Sequence, residues 1–107
     1  MMLMIQCYVP TDYAETLKSA LFAAGAGTLG NYRQCCWQTL GQGQFFAGED
    51  TNPAYGKPGT CEYVSEIKLE MICDNDVIND VIHAMHEHHP YETPAYAYWP
   101  INQHLSP

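Results

Sequence analysis

Apolar residues occupy every second position from 67 to 73 and alternate with charged residues from 66 to 70, and this alternation constrains the fold more than any other feature of the sequence. The apolar positions are Ile67, Leu69, Met71 and Cys73, and the charged positions between them are Glu66, Lys68 and Glu70. Because successive side chains of a β-strand point to opposite faces, the pattern predicts a strand with one buried and one solvated face. A sheet with an apolar face needs a second layer to cover it.

Three further segments have the composition of strands. Residues 3–9 alternate with period two and are apolar on both faces, which predicts a central strand that Pro10 ends. Residues 32–40 contain cysteine, tryptophan and threonine and predict a second strand. Residues 95–99 are extended in character and aromatic, and they predict the last strand.

Glycines and prolines follow the second predicted strand. Gly41 and Gly43 predict a tight turn, and Phe45 and Phe46 then predict a short return strand. Residues 47–60 hold several glycines and prolines and predict a long irregular loop. Loops of this length inside a compact domain are usually functional or form an interface.

Two stretches show the apolar spacing i, i+3, i+4, i+7 of an amphipathic helix. The first has Leu17, Ala20, Leu21 and Ala24, and the second has Ile78, Val81, Ile82 and Met85. Asp12 with Glu15 resembles a capping box before the first helix, and residues 74–76 offer N-cap side chains before the second. The element order is therefore β-α-β-β-α-β, with an extra hairpin and loop between the middle strands. We predict that residues 1–107 form a single α+β domain of ferredoxin-like type, with two helices on one face of an antiparallel sheet.

The composition disfavours several classes of partner. The chain has 107 residues, of which 47% are hydrophobic and only 15% charged, and its formal net charge is −8. This charge disfavours nucleic acid and anionic membranes as partners, whereas a metal ion or a cationic ligand is electrostatically easier. The low charge fraction and the many aromatic residues indicate that a partner subunit covers some apolar surface.

The cysteines favour a reduced environment. Five cysteines are present without a C-x-x-C pair, which is typical of free thiols rather than of a disulfide framework. Cys35 and Cys36 are adjacent in a predicted strand, so their side chains point to opposite faces and do not readily chelate one ion. With no signal h-region and no apolar run of membrane-spanning length, we expect a soluble, cytoplasmic protein.

Four histidines stand near the end of the second predicted helix. His83 and His86 are neighbours at i, i+3 and could share a metal ion, although solvated surface histidines are the more common arrangement opposite an apolar stripe. His89 ends the helix, and Tyr91 and Glu92 follow in a stiff turn. This turn is either plain turn chemistry or a ligand site formed by His89, Tyr91 and Glu92. For a divalent metal ion the candidate ligands are His89 and Glu92, with His86 as a further one.

The remaining candidate binding residues lie in the predicted turn and loop. They are Gly41, Gly43, Phe45, Gly56 and Gly59. Glycines allow a backbone to approach a ligand or another subunit closely, and loop aromatics favour burial, so both subunit packing and small-molecule contact fit. A separate G-x-G-x-x-G pattern begins at Gly25, but it follows a helix and precedes a strand, which is the reverse of the dinucleotide-binding order.

Four stretches together resemble one known family. They are A-G-A-G-T-L-G-N-Y-x-x-C from Ala24, G-x-G-x-F from Gly41, N-P-x-x-G-x-x-G-x-x-E-x-V-x-E from Asn52, and H-P-Y-E-x-P-A-Y from His89. In this order they resemble the small domain inserted in YqfO-type proteins of the Nif-three-like family, here as a stand-alone chain. That domain is similar in fold to CutA and PII proteins. The resemblance therefore implies a trimer with ligand sites in clefts between subunits.

Two departures from the family limit what the resemblance implies. The dinuclear metal ligands of the Nif-three-like core have no counterpart in the chain, so a metal-dependent hydrolase activity is not implied. Phe45 is followed by Phe46 and Ala47, where the family often has a basic residue and a proline.

Three functional hypotheses remain. The first is a non-enzymatic, oligomeric module that binds or senses a small ligand or a metal ion of unknown identity. The second is a divalent-metal-binding, metal-tolerance protein that uses the turn from His89 to Glu92. The third is an enzyme with an active site between subunits, for which the sequence offers no nucleophile–base pair.

Overall fold

The computed structural model describes residues 1–103, which form four strands and two α-helices. In chain order these are β1 (Met2–Pro10), α1 (Ala14–Ala23), β2 (Trp37–Phe46), β3 (Cys61–Asp74), α2 (Ile78–His88) and β4 (Tyr96–Pro100). The order is the predicted β-α-β-β-α-β. None of the helices in this part of the chain is long and apolar enough to cross a membrane.

The four strands form one antiparallel sheet in the order β2-β3-β1-β4. β1 lies in the interior of the sheet, and pairs such as Ile5–Met71 and Ile5–Tyr98 join it to β3 and β4. Buried and partly exposed residues alternate along β1, so one of its two apolar faces lies in the core. The α+β, ferredoxin-like fold predicted from the sequence is confirmed.

Both helices pack on the same face of the sheet. Their buried residues Leu17, Leu21, Val81 and Met85 belong to one cluster with the buried residues of β1 and β3. The strand residues of this cluster are Leu3, Ile5, Cys7, Val9, Ile67, Leu69, Met71 and Cys73. These are the residues that the period-two patterns assign to one face, so the core follows directly from the sequence.

The two predicted helix starts have different outcomes. Asp74 provides a side-chain cap, since its Oδ1 accepts a hydrogen bond of 2.8 Å from the backbone N–H of Asp76. It caps the short 3-10 turn Asn75–Val77 that leads into α2, whereas Val77 at the start of α2 provides no side-chain cap. The capping box expected for Asp12 and Glu15 does not form. A short 3-10 turn, Thr11–Tyr13, precedes α1 instead, and Tyr13 provides no side-chain cap.

The turn predicted at Gly41 and Gly43 is wrong. Both glycines lie within the continuous strand β2, where Gly41 pairs with Glu66 and Gly43 pairs with Val64. The connection between the middle strands is the long loop of residues 47–60, as predicted, and β2 and β3 are themselves the hairpin that it joins.

The β2–β3 hairpin extends past the rest of the sheet. The last pair between β1 and β3 is Pro10–Glu66, so residues 61–65 of β3 pair only with residues 42–46 of β2. We call these two five-residue segments the arm. The arm contributes to an elongated shape, with principal extents of 54 × 24 × 23 Å.

Candidate functional site

Tyr91 is the centre of the candidate site, where the turn after α2 meets the base of the arm. Its ring centroid lies 6.1 Å from that of Phe45 on β2 and 6.0 Å from that of Tyr55 in the 47–60 loop. The ring centroid of His89 lies 4.9 Å from that of Tyr91. Three separate parts of the chain therefore meet at one half-buried aromatic ring.

The hydroxyl of Tyr91 donates a hydrogen bond to the carboxylate of Glu66 on β3. Burial raises the pKa of Tyr91, and the hydrogen bond to Glu66 and the negative charge of that carboxylate raise it further. The hydroxyl therefore keeps its proton at neutral pH and acts as a donor. It holds the Glu66 carboxylate toward the turn.

Gly43 provides the space in which this carboxylate lies. A Cβ atom at position 43 would overlap the carboxylate group of Glu66. Gly41 differs, because a Cβ there would meet no atom within 4 Å. Of the two glycines in β2, only Gly43 lies so close to another group, the Glu66 carboxylate, that a side chain would not fit beside it.

His89 is buried behind Tyr91 and holds the turn against β1. Its Nε2–H donates to the carbonyl oxygen of Tyr8 over 2.6 Å, and its Nδ1 accepts from the N–H of Tyr91 over 3.1 Å. These partners fix the neutral tautomer with the proton on Nε2. Burial lowers the pKa of His89, and His86 adds to this, while the Tyr8 carbonyl and the Glu66 charge oppose it.

This geometry does not support the proposed metal ligands. Both ring nitrogens of His89 are already engaged by the backbone, so neither offers a free lone pair. His86 packs edge-on against Tyr96, and His83 Nε2 lies 3.1 Å from Glu87 Oε1 at the surface. Within residues 1–103, no group of three or more histidine, cysteine, aspartate or glutamate side chains is arranged to hold a metal ion.

A second contact joins the loop to the turn. The backbone N–H of Asn52 donates to Glu92 Oε2 over 3.3 Å, and thereby links the 47–60 loop to the segment that carries Tyr91. Within the loop, Gly59 has a φ of +82° and donates its N–H to the carbonyl of Ala47 over 2.7 Å. Gly56 also has a positive φ, of +71°. These two glycines shape the loop rather than touch the site.

Between the loop, the arm and the turn lies a cleft of about 280 Å³. Its lining includes Phe45, Pro53, Ala54, Glu66, Tyr91 and Glu92. Of the residues predicted from the sequence, Phe45, Tyr91 and Glu92 line the cleft, whereas Gly43 and His89 lie next to the lining residues Glu66 and Tyr91. Gly41, Gly56 and Gly59 are not part of the lining.

Glu66 is the site residue that sequence reasoning missed. Its place in the alternating strand assigned it only to a solvated face, and nothing in that pattern pairs it with Tyr91. The one available signal was its position as the last residue of the E-x-V-x-E stretch in the family resemblance.

Three of the cysteines, Cys7, Cys36 and Cys73, have a raised thiol pKa. Burial, with a smaller effect of Cys36, raises the pKa of Cys7 to about 12. Burial is also the largest influence on Cys36 and Cys73 and raises the pKa of each. Thiols of this kind stay protonated at neutral pH and are poor nucleophiles. All five cysteines lie in the described part of the chain and are free.

Comparison with solved structures places the fold in the CutA and PII-like class. The CutA periplasmic divalent cation tolerance protein of Archaeoglobus fulgidus matches with a TM-score of 0.71 and 19% identity, over 98% of this chain and 88% of its own. The GlnK–ATP complex of B. subtilis matches with a TM-score of 0.60 and 10% identity, over 94% and 83% of the two chains. At these identities the likeness concerns the fold alone.

Two further matches define the family more narrowly. A Bacillus cereus protein related to NIF3 matches with a TM-score of 0.82 and 35% identity, over 95% of this chain and 26% of its own. A GTP cyclohydrolase 1 type 2 homolog from Halalkalibacterium halodurans is 43% identical over 88% of this chain and 25% of its own length. No protein-family profile matches the chain. The chain is thus homologous to one segment, about a quarter, of the NIF3-related, YqfO-type proteins, which confirms the resemblance read from the sequence.

Proposed function

We propose that this chain is a homo-oligomeric module that binds a small ligand in the cleft beside Tyr91 and has no catalytic centre of its own. The observation that carries the proposal is the convergence on Tyr91 of Phe45 from the arm, Tyr55 from the loop and His89 from the turn. An apolar, preformed cleft with a few fixed polar groups is the usual form of a small-molecule site.

Exposed apolar surface supports the oligomer. Trp37 and Trp99 lie on the face of the sheet opposite the helices, and Tyr63 and Phe46 lie on the arm. All four are more than a third exposed in the single chain. Soluble proteins generally cover such surface with a partner. A trimer is the assembly that the family resemblance implies, and we propose it for this chain.

The name of the curated relatives does not transfer an activity to this chain. The relatives are called homologs of GTP cyclohydrolase 1 type 2, and the chain spans only about a quarter of their length. Burial raises the thiol pKa of Cys7, Cys36 and Cys73, so these three are poor nucleophiles at neutral pH. We therefore favour binding over catalysis for this segment.

Divalent-metal binding is the weaker alternative. It draws support from the negative net charge and from the name of the CutA protein with the same fold. Against it stands the engagement of both His89 nitrogens by backbone groups. A metal ion bound by His89 would have to replace one of these hydrogen bonds, whereas a small organic ligand would not.

Native mass spectrometry of the untagged protein tests the proposal together with a blocked variant. Ala54→Trp places a large side chain in the cleft, and Ala23→Trp places the same side chain at an exposed position of α1. We expect wild type and Ala23→Trp to have three subunit masses plus a fixed excess, and Ala54→Trp to have three subunit masses alone. Equal retention by all three proteins, or a bare wild type, would overturn the proposed site.

A further inference from the structure

We infer that the cleft binds a small organic cation, namely a protonated amine that carries an apolar group. The inference rests on the proposed function and adds the chemical class of the ligand. It follows from the charge of the cleft, from its apolar walls and from the way its carboxylates are already engaged.

Both charged residues that line the cleft are carboxylates, Glu66 and Glu92. Over residues 1–103, the ion pairs are Lys18–Glu15, Lys68–Glu70 and His83–Glu87, so neither cleft carboxylate has a cationic partner there. Their hydrogen-bond donors are the neutral hydroxyl of Tyr91 and the N–H of Asn52. His89 does not neutralise them, because its hydrogen bonds fix it as a neutral ring.

A carboxylate that is partly withdrawn from water is stabilised by a counter-charge, and Glu66 is only half-exposed. An ammonium group that enters the cleft would supply this charge to Glu66. It would also approach the rings of Phe45 and Tyr91, and aromatic faces attract cations within about 6 Å. An anion would meet two negative charges and no lysine or arginine in the lining.

The remaining lining determines the rest of the ligand. Phe45, Pro53, Ala54 and Ala95 make much of the wall apolar, which suits a hydrocarbon or aromatic group. The volume of about 280 Å³ lies at the small end of ligand pockets. A bare divalent ion fits poorly, because such ions take about four to eight ligands, and two of the available oxygens already accept hydrogen bonds.

Three probes of matched shape separate charge from apolar contact. These are 2-phenylethylamine, 2-phenylethanol and 3-phenylpropanoate, which are cationic, neutral and anionic at neutral pH, and zinc chloride serves as a fourth probe. Binding is measured by NMR titration and calorimetry near physiological ionic strength, where non-specific attraction to an acidic protein is screened. We expect the amine to bind at least about tenfold more tightly than the alcohol, and the carboxylate and zinc to bind more weakly still.

The double variant E66Q/E92Q removes both charges while its amide oxygens can still accept from Tyr91 and Asn52. The control E15Q/E87Q removes two charges from exposed surface pairs of the helices, so that the net charge rises by the same amount. We expect E66Q/E92Q to lose the preference for the amine over the alcohol and the control to keep it.

The outcomes distinguish this inference from the proposed function. Equal affinity for amine, alcohol and carboxylate, or an amine preference that survives in E66Q/E92Q, would overturn the cation inference and leave a cleft that binds apolar molecules. Tighter binding of zinc than of the amine would overturn it in favour of a metal site. Failure of all three organic probes to bind would also overturn it, while the fixed mass excess lost in Ala54→Trp would still support the proposed function.

Discussion

Gly43 has no side chain and so leaves space for the carboxylate of Glu66. The carboxylate of Glu66 lies where a Cβ of residue 43 would be, and the Tyr91 hydroxyl holds it there. Any larger residue would push Glu66 away from Tyr91. Gly41 lies two positions earlier in the same strand and has open space around it, so it serves as an internal comparison.

Gly43→Ala is therefore expected to lower the free energy of unfolding by about 0.5–1.5 kcal/mol, because the added methyl group displaces the Glu66 carboxylate and breaks its hydrogen bond to Tyr91. Gly41→Ala is expected to raise it by about 0.5–1 kcal/mol, since alanine loses less backbone entropy than glycine in a strand. Urea denaturation measures both. A similar change in the two variants would contradict the steric role of Gly43.

The position of Glu66 also shows where sequence reasoning reaches its limit. Alternation correctly placed Glu66 on the face opposite the buried Ile67 and Leu69. It carries no information about a neighbour that arrives from a turn 25 positions further along the chain. Contacts of that kind depend on how the elements are arranged in three dimensions. The sequence could therefore suggest Phe45, Tyr91 and Glu92 as candidates, but not that Glu66 lies beside Tyr91.

At the scale of the elements, the buried His89 joins the turn after α2 to strand β1 by hydrogen bonds. His89 accepts from the N–H of Tyr91 and donates to the carbonyl of Tyr8. The bond from Tyr91 requires the neutral ring, whereas the Nε2–H that donates to Tyr8 is present in both protonation states. Protonation would place a second donor opposite the N–H of Tyr91. The charged form is therefore disfavoured by geometry as well as by burial.

The pH dependence of stability follows from this arrangement. Burial lowers the pKa of His89 below its usual value of 6.5, so the unfolded chain takes up a proton at a pH where the folded chain does not. The stabilisation is complete above pH 6.5 and is lost as the pH falls toward the lowered pKa.

Thermal denaturation between about pH 7.5 and about pH 5.5 is expected to show a smaller loss of stability on acidification in His89→Gln than in the wild type. At the upper pH the variant is expected to be less stable by about 1–3 kcal/mol, since it loses a buried hydrogen bond. His83→Gln, which removes an exposed histidine, should behave like the wild type. Parallel pH profiles of His89→Gln and the wild type would refute the role of His89.

The strands show which element boundaries could be predicted. Apolar alternation located β1 and the buried half of β3 because one face of each packs against the helices. The arm has no helix over it, so its sequence lacks that alternation, and glycines and glutamines made β2 resemble a turn. The same lack of cover explains why residues 61–65 were assigned to no predicted element.

At the scale of the whole molecule, the two faces of the sheet differ. One face is covered by α1 and α2, whereas the other carries the only two tryptophans of the chain. Trp37 pairs with Glu70 and is 70% exposed, and Trp99 pairs with Met4 and is 41% exposed. Both side chains would be covered if the sheets of several subunits pack together through this face.

Tryptophan fluorescence reports on this packing. We expect acrylamide to quench the folded wild type only weakly, despite the exposure of both tryptophans in a single chain. Met4→Glu introduces a charge on the same face and is expected to yield monomers with strong quenching. Tyr32→Lys changes an exposed aromatic residue outside the sheet and should leave quenching unchanged. Strong quenching in an intact trimer would mean that the subunits meet through another surface.

The interior position of β1 has a consequence for how the chain reaches this fold. Every ladder of β1 joins distant parts of the chain, from Pro10–Glu66 to Leu3–Pro100, whereas β2 and β3 are joined by one loop. Closing long loops costs entropy before the contacts are gained, and a high contact order slows the folding of small domains. The entropy of chain closure therefore falls mainly on the strand that carries much of the core, and least on the arm, which lines the cleft.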